Sequence, residues 1–114
     1  MADVVKDAID NNKVVIFSKS YCPYCSKVKT LFTGLSVPVK VLELDERDDG
    51  SDIQNAIMKQ YGARTVPQVF IAGERIGGND DTQALHKSGG LVPKLKAAGV
   101  LWRFRISIKA VMRR

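Results

Sequence analysis

The chain has 114 residues, 45% hydrophobic and 26% charged, with a formal net charge of +6 from 18 basic and 12 acidic side chains. That is one domain's length, with enough aliphatic sequence to build a core without a disulfide framework or a structural metal, and it excludes intrinsic disorder. Basic charge spread over the whole domain would point to nucleic acid or a membrane surface. Instead residues 103–114 hold Arg103, Arg105, Lys109, Arg113, Arg114 and no acid, leaving residues 1–102 nearly neutral with 13 basic and 12 acidic groups.

Residues 3–12 place Val4, Val5, Ala8 and Ile9 at helical spacing, with Asp3 as the expected N-cap. Residues 13–18 are a β-branched and aromatic run, read as a buried strand. A loop with Pro23 follows. Val28, Leu31, Phe32 and Leu35 then define an amphipathic helix over 25–35 that ends near Gly34. Residues 37–44 predict a second strand with Pro38 near its start, and 45–50 an acidic turn. Ser51 and Gln54 form a capping box for a helix running to Tyr61 and stopped by Gly62. Residues 67–72 and 75–76 predict two strands around a Gly73-Glu74 turn, and 80–87 and 91–98 two further helices. The order β-α-β implies a parallel, right-handed pair, and the later strands a hairpin. The expected fold class is α/β: a four-stranded mixed sheet flanked by helices on both faces.

The two cysteines form one Cys22-Pro23-Tyr24-Cys25 segment. A single pair does not staple a secreted domain. No leader pattern opens the sequence and no apolar run reaches the length of a membrane span. The expectation is a soluble protein of a reducing compartment, most simply cytoplasmic.

The pair stands between a strand and a helix, and that placement has chemical consequences. A thiolate at a helix N-terminus faces unpaired N–H groups and the positive end of the dipole, which lowers thiol pKa values to roughly 3.5–7.5. Cys22 takes the exposed first position and Cys25 lies one turn inside on the same face. Cys22 is therefore read as the attacking nucleophile and Cys25 as the resolving thiol, with Lys19 adding positive charge nearby. A zinc site competes with this reading, but zinc takes four ligands and the chain offers two Cys and His86 as its sole His. An incidental thiol pair is the other alternative. His86, Tyr61 and Trp102 are most simply structural.

Gly77-Gly78-Asn79-Asp80-Asp81 leads into a helix. Glycines let a ligand approach the backbone, and a helix N-terminus offers N–H groups to an anion. With paired acids beside them, the segment suits a zwitterion whose carboxylate takes the N–H groups while its ammonium pairs with Asp81. A turn with an N-cap would also account for Asn79.

Four segments in order carry a resemblance to a known family: residues 19–25, Gln60-Tyr61-Gly62, residues 64–71 and residues 76–81. From about residue 3 to 101 the chain resembles the glutaredoxins, of the dithiol type with a C-P-Y-C site. The resemblance implies a thioredoxin-like fold and glutathione as reducing co-substrate, with no metal. Thr65-Val66-Pro67 looks like the family's cis-proline loop, which would leave the backbone of Val66 free to pair with an extended peptide. Gly78, Asp80 and Asp81 match the position of the γ-glutamyl end of glutathione. Lys19 and Gln60 match positions that hold its glycine carboxylate, where Arg64 could assist, and Tyr24 matches a residue flanking the thiol.

The implied function is reduction of protein–glutathione mixed disulfides and protein disulfides by a monomer, with glutathione reductase acting indirectly and no nucleic acid involved. A thioredoxin-like reductase shares the fold, but usually carries Gly-Pro between its cysteines. An iron–sulfur binding dimer goes with Gly or Ser after the first Cys, and Pro23 disfavours it. The sequence departs from the resemblance at its end. A glutaredoxin domain over 1–101 is followed by a basic extension, 102–114, in which Trp102, Phe104, Ile106 and Ile108 alternate with Arg103, Arg105, Ser107 and Lys109 at strand period. That extension is expected to be non-catalytic.

Overall fold

The computed structural model describes residues 2–101. The elements are α1 (Ala2–Asn11), β1 (Val14–Ser18), α2 (Pro23–Gly34), β2 (Lys40–Glu43), a 3-10 turn at Leu44–Glu46, α3 (Gly50–Tyr61), β3 (Gln68–Ile71), β4 (Glu74–Gly77), α4 (Asn79–Lys87) and α5 (Leu91–Ala97). The sheet order is β2-β1-β3-β4. β1 and β2 are parallel and joined by α2, while β3 runs antiparallel to both β1 and β4. This is the expected four-stranded mixed sheet.

β1 is buried along its whole length, so its alternation serves two cores rather than one core and solvent. Val14 and Ile16 join Val28 and Phe32 of α2 and Leu91 and Leu95 of α5 on one face. Val15 and Phe17 join Val5 and Ile9 of α1 and Ile53 and Ile57 of α3 on the other. Burying each such side chain contributes about 1.5–3 kcal/mol. On the second face Phe70 anchors an aromatic cluster, edge-on to Phe17 at 5.7 Å and to Tyr61 at 5.0 Å between ring centroids.

Several boundaries differ from the sequence reading for identifiable reasons. Asp3 lies inside the first turn of α1 rather than capping it. α2 begins at Pro23, not Cys25; proline has no N–H to lose in a first turn, and its ring presets the helical φ. β2 starts only at Lys40, because Pro38 cannot donate to a ladder, and Leu44 turns away into the 3-10 segment. The capping box at Ser51 and Gln54 does not form. α3 begins two residues earlier than an N-cap at Ser51 would set, at Gly50, with Asp49 in the N-cap position and no side-chain cap, and the Gln54 amide donates to the Arg64 carbonyl. Gly62 does end α3, in the left-handed conformation. Residues 102–114, with the proposed extension, lie outside the described residues.

Candidate active site

The loop after β1 turns directly into α2. Its Cys22 N–H donates to the Lys19 carbonyl at 3.0 Å, and the Cys22 carbonyl accepts from Ser26 N–H at 3.1 Å, the first helical bond. Cys22 is thereby the N-cap of α2, with extended backbone (φ −87°, ψ 119°), and its sulfur accepts from the Cys25 N–H at 3.4 Å. A cysteine here does the work usually given to Ser or Asp, placing its sulfur among orphan donors at the positive end of the helix.

The two thiols differ in the way their positions dictate. Cys22 is partly exposed, whereas Cys25 is fully buried. Burial pushes the Cys22 thiol up, but this is outweighed by the Cys25 thiol, the N–H groups of Cys25 and Tyr24, and the Lys29 charge, which together hold it below its ordinary value. Burial pushes the Cys25 thiol up, against the Lys19 N–H and the Ser18 hydroxyl, and its neighbour Cys22 pushes the same way. Of the two, Cys22 is the sulfur disposed to ionise first and Cys25 the one that keeps its proton longer as pH rises.

The Val66–Pro67 peptide bond is cis, as the resemblance implied, and the Cys22 sulfur lies 4.0 Å from the Val66 carbonyl oxygen. The loop is held from below by Gln68. This residue is buried, its amide N–H donates to the Thr65 carbonyl at 2.9 Å, and its amide oxygen accepts from Arg75 Nε at 2.9 Å. Both ends of the amide are thus satisfied, which a buried polar side chain requires. The loop presents its outer backbone to a groove of about 650 Å³ running past Cys22.

That groove brings together Lys19, Cys22, Thr65 and Val66 from the expected set, includes Arg64, expected to assist at the carboxylate, and adds Tyr21 and Gln54. Gln60 is not among its lining residues; it is exposed and faces a separate depression with Ala2, Asp52 and Lys59. Six residues along a helix are about 9 Å of axis, so a match to the right residue type in the last turn of α3 points away from the site. Gln54 near the start of α3 points into it. No signal in the residue order marks Gln54: what brings the start of α3 to this end is the 3-10 turn before it, whose Asp45 Oδ1 accepts from the Ser20 N–H in the loop that precedes Cys22 at 2.9 Å. Tyr24 is exposed on α2 with the Lys27 ammonium 5.2 Å from its ring centre, and it is Tyr21 that lines the groove.

Gly78, Asp80 and Asp81 are not among the residues that line this groove. Gly78 backs onto the cis-proline loop, since a Cβ there would meet the Pro67 carbonyl oxygen at 3.6 Å. Its N–H donates to Asp81 Oδ2 at 3.3 Å. Gly77 has φ +122°, and a Cβ would sit 2.3 Å from that same carboxylate oxygen, so glycine is required for Asp81 to fold back over the helix start. Asp80 and Asp81 are exposed, and Asp80 faces a shallow depression between α2 and α4. Among the described residues no group of three or more His, Cys, Asp or Glu is disposed to hold a metal ion.

Comparison with known proteins agrees with this geometry. The glutaredoxin family profile matches residues 14–76. A glutaredoxin of Ricinus communis is 52% identical over 96 residues, covering 84% of this chain and 94% of that protein. Glutaredoxin-C4 of Arabidopsis thaliana is 53% identical over 98 residues, covering 86% of this chain and 73% of that protein. The crystal structure of a buckwheat glutaredoxin–glutathione complex superposes with a TM-score of 0.85 at 43% identity, covering 87% of this chain and 90% of the other. The sheet order, the thiol pair at the start of α2 and these matches lead to one conclusion: the chain has the thioredoxin-like fold and belongs to the glutaredoxin family, whose members are oxidoreductases that use glutathione as co-substrate.

Proposed function

We propose that the protein reduces protein–glutathione mixed disulfides through Cys22 alone, and protein disulfides through Cys22 and Cys25 together. The observation that carries this is the asymmetry of the pair: an accessible sulfur at a helix N-terminus, held below its ordinary pKa, beside a buried one held above it.

In the first reaction the Cys22 thiolate attacks the glutathione sulfur of a mixed disulfide. The Cys22–glutathione bond forms, the bond to the substrate protein breaks, and the substrate sulfur leaves as a thiolate that takes a proton. A second glutathione thiolate then attacks the adduct, releasing Cys22 and glutathione disulfide. In the second reaction Cys22 attacks a protein disulfide. Cys25 then attacks Cys22, forming the internal disulfide and freeing the substrate thiol. Glutathione returns the pair to the dithiol.

Glutathione fits the groove as an extended peptide. Its backbone would pair with Val66 in the manner of an added strand. Lys19, Gln54 and Arg64, which line the groove on the Cys22 side of that loop, would take the glycine carboxylate. Gly78, Asp80 and Asp81 would take the zwitterionic γ-glutamyl end, with Gly78 seated against Pro67. The related buckwheat protein is described as a complex with glutathione, which supports assigning this ligand to the groove.

The test is a glutathione-coupled assay on a small mixed disulfide. Cys22→Ser should abolish turnover and Cys25→Ser should leave it largely intact, with loss of activity on protein disulfides. Full activity in Cys22→Ser would sink the assignment.

A further inference from the structure

β1 ends at Ser18, which is fully buried and whose hydroxyl has no hydrogen-bond partner among the described residues. Strand alternation puts Ser18 on the same sheet face as Val14 and Ile16, the face that α2 covers. Cys25 is the first buried side chain of α2. A buried hydroxyl without a partner is costly, and Cys25 shares its helix face with Val28 and Phe32, which pack on this side of the sheet.

We propose that Ser18 is a positioning residue for the resolving step: once Cys25 is a thiolate, the Ser18 hydroxyl donates a hydrogen bond to its sulfur and holds it for attack on Cys22. The inference rests on reading Cys25 as the resolving thiol. A protonated thiol is a weak acceptor, whereas a thiolate takes a strong, charge-assisted hydrogen bond. The hydroxyl without a partner in the reduced state thus gains one when the charge appears. The direction of its influence agrees, since the Ser18 hydroxyl and the Lys19 N–H favour the ionised form of Cys25 against burial.

The charged and titratable groups around Cys25 do not supply this stabilisation. Cys22, on the N-terminal side, opposes ionisation. Lys29, one turn further along α2, is bound to Glu43 Oε2 on β2 at 2.6 Å, so that pair is close to neutral. Glu43 stands in register with Ser18, and its other oxygen is also buried without a partner; Ser18 does not donate to it. The Ser18 proton is therefore free for the sulfur.

In the step concerned, the Cys25 thiolate attacks Cys22 Sγ of the Cys22–glutathione adduct. The Cys22–Cys25 bond forms and the Cys22–glutathione bond breaks. Glutathione leaves as a thiolate that takes a proton from water; Cys25 rises to the disulfide level as the glutathionyl sulfur returns to the thiol level, and Cys22 stays at the disulfide level throughout.

The test is the rate of glutathione release from the full chain carrying glutathione on Cys22, followed by rapid quench across pH in wild type, Ser18→Ala, Ser18→Thr and Ser18→Val. In Ser18→Ala the pH midpoint should move up by about one pH unit, making release about tenfold slower below the midpoint, with the high-pH plateau retained. Thr should stay near wild type, and Val, which matches its size without the hydroxyl, should follow Ala. The Thr–Val comparison reads the same quantity if Ala impairs folding. An unchanged midpoint in Ala and Val, or a uniform slowing at every pH, would overturn the proposal while leaving Cys25 as the resolving thiol. Wild type that never releases glutathione would overturn the resolving role itself, and this inference with it.

Discussion

Ser20 and Asp45, 25 residues apart, are joined twice: the Ser20 N–H donates to Asp45 Oδ1 at 2.9 Å and the Ser20 hydroxyl donates to Oδ2. The contact ties the loop before Cys22 to the 3-10 turn after β2. The Ser20 hydroxyl and N–H hold the Asp45 carboxyl below its ordinary value. A carboxylate with a lowered folded-state pKa adds stability that is present above its unfolded pKa of about 3.9 and is lost as pH falls through the folded value. Asp45→Asn should therefore be less stable than wild type at pH 7, with the difference vanishing in strong acid. Urea unfolding at the two pH values measures it.

The lowered Cys22 thiol predicts alkylation by iodoacetamide with a midpoint below that of an ordinary exposed thiol measured in parallel. Burial works against this shift, and the Cys25 thiol is the foremost of the groups that overcome it, with Lys29 contributing less. Cys25→Ala should therefore raise the midpoint more than Lys29→Met. Equal midpoints in all three proteins would contradict this reading of the site.

Gly77 and Gly78 are adjacent but not equivalent. Gly77→Ala combines positive φ with a 2.3 Å clash against Asp81; the backbone strain alone is worth about 1–3 kcal/mol. It should lower the melting temperature and raise KM for glutathionylated substrate as Asp81 is displaced. Gly78→Ala meets nothing closer than 3.6 Å and should fold normally. Thermal melts with parallel kinetics separate the two.

Gln54 and Gln60 share one helix and differ in which depression they face. Gln54→Ala should raise KM for glutathionylated substrate several-fold with kcat little changed, because a group binding ground state and transition state alike acts on KM. Gln60→Ala should leave both constants near wild type.

The chain could be read well where chemistry is local. Among the described residues, β-branched runs, helical spacing and glycine stops mark the four strands and five α-helices but not the 3-10 turn, and the Cys22–Cys25 spacing marks the candidate site. The errors were local conflicts settled by neighbours. Pro23 has the look of a loop residue in the sequence, yet proline suits a first helical turn and opens α2. The Ser51–Gln54 capping box matched its pattern, but α3 begins at Gly50 and the Gln54 amide is engaged by the Arg64 carbonyl. Contacts made across the fold were not legible, because nothing in the order of residues states which distant groups meet. The Ser20–Asp45 tether, the Gln68 amide that holds the cis-proline loop and the Lys29–Glu43 pair under α2 belong to this kind.

The central claim, that Cys22 is the sulfur that carries glutathione, is tested most directly by intact-mass analysis of Cys25→Ser and Cys22→Ser chains exposed to glutathione disulfide. Cys25→Ser should gain a single glutathione, mapped to Cys22, while Cys22→Ser stays unmodified because Cys25 is buried and its thiol keeps its proton longer as pH rises. Glutathione on Cys25 of the Cys22→Ser chain, or an unmodified Cys25→Ser chain, would contradict the account.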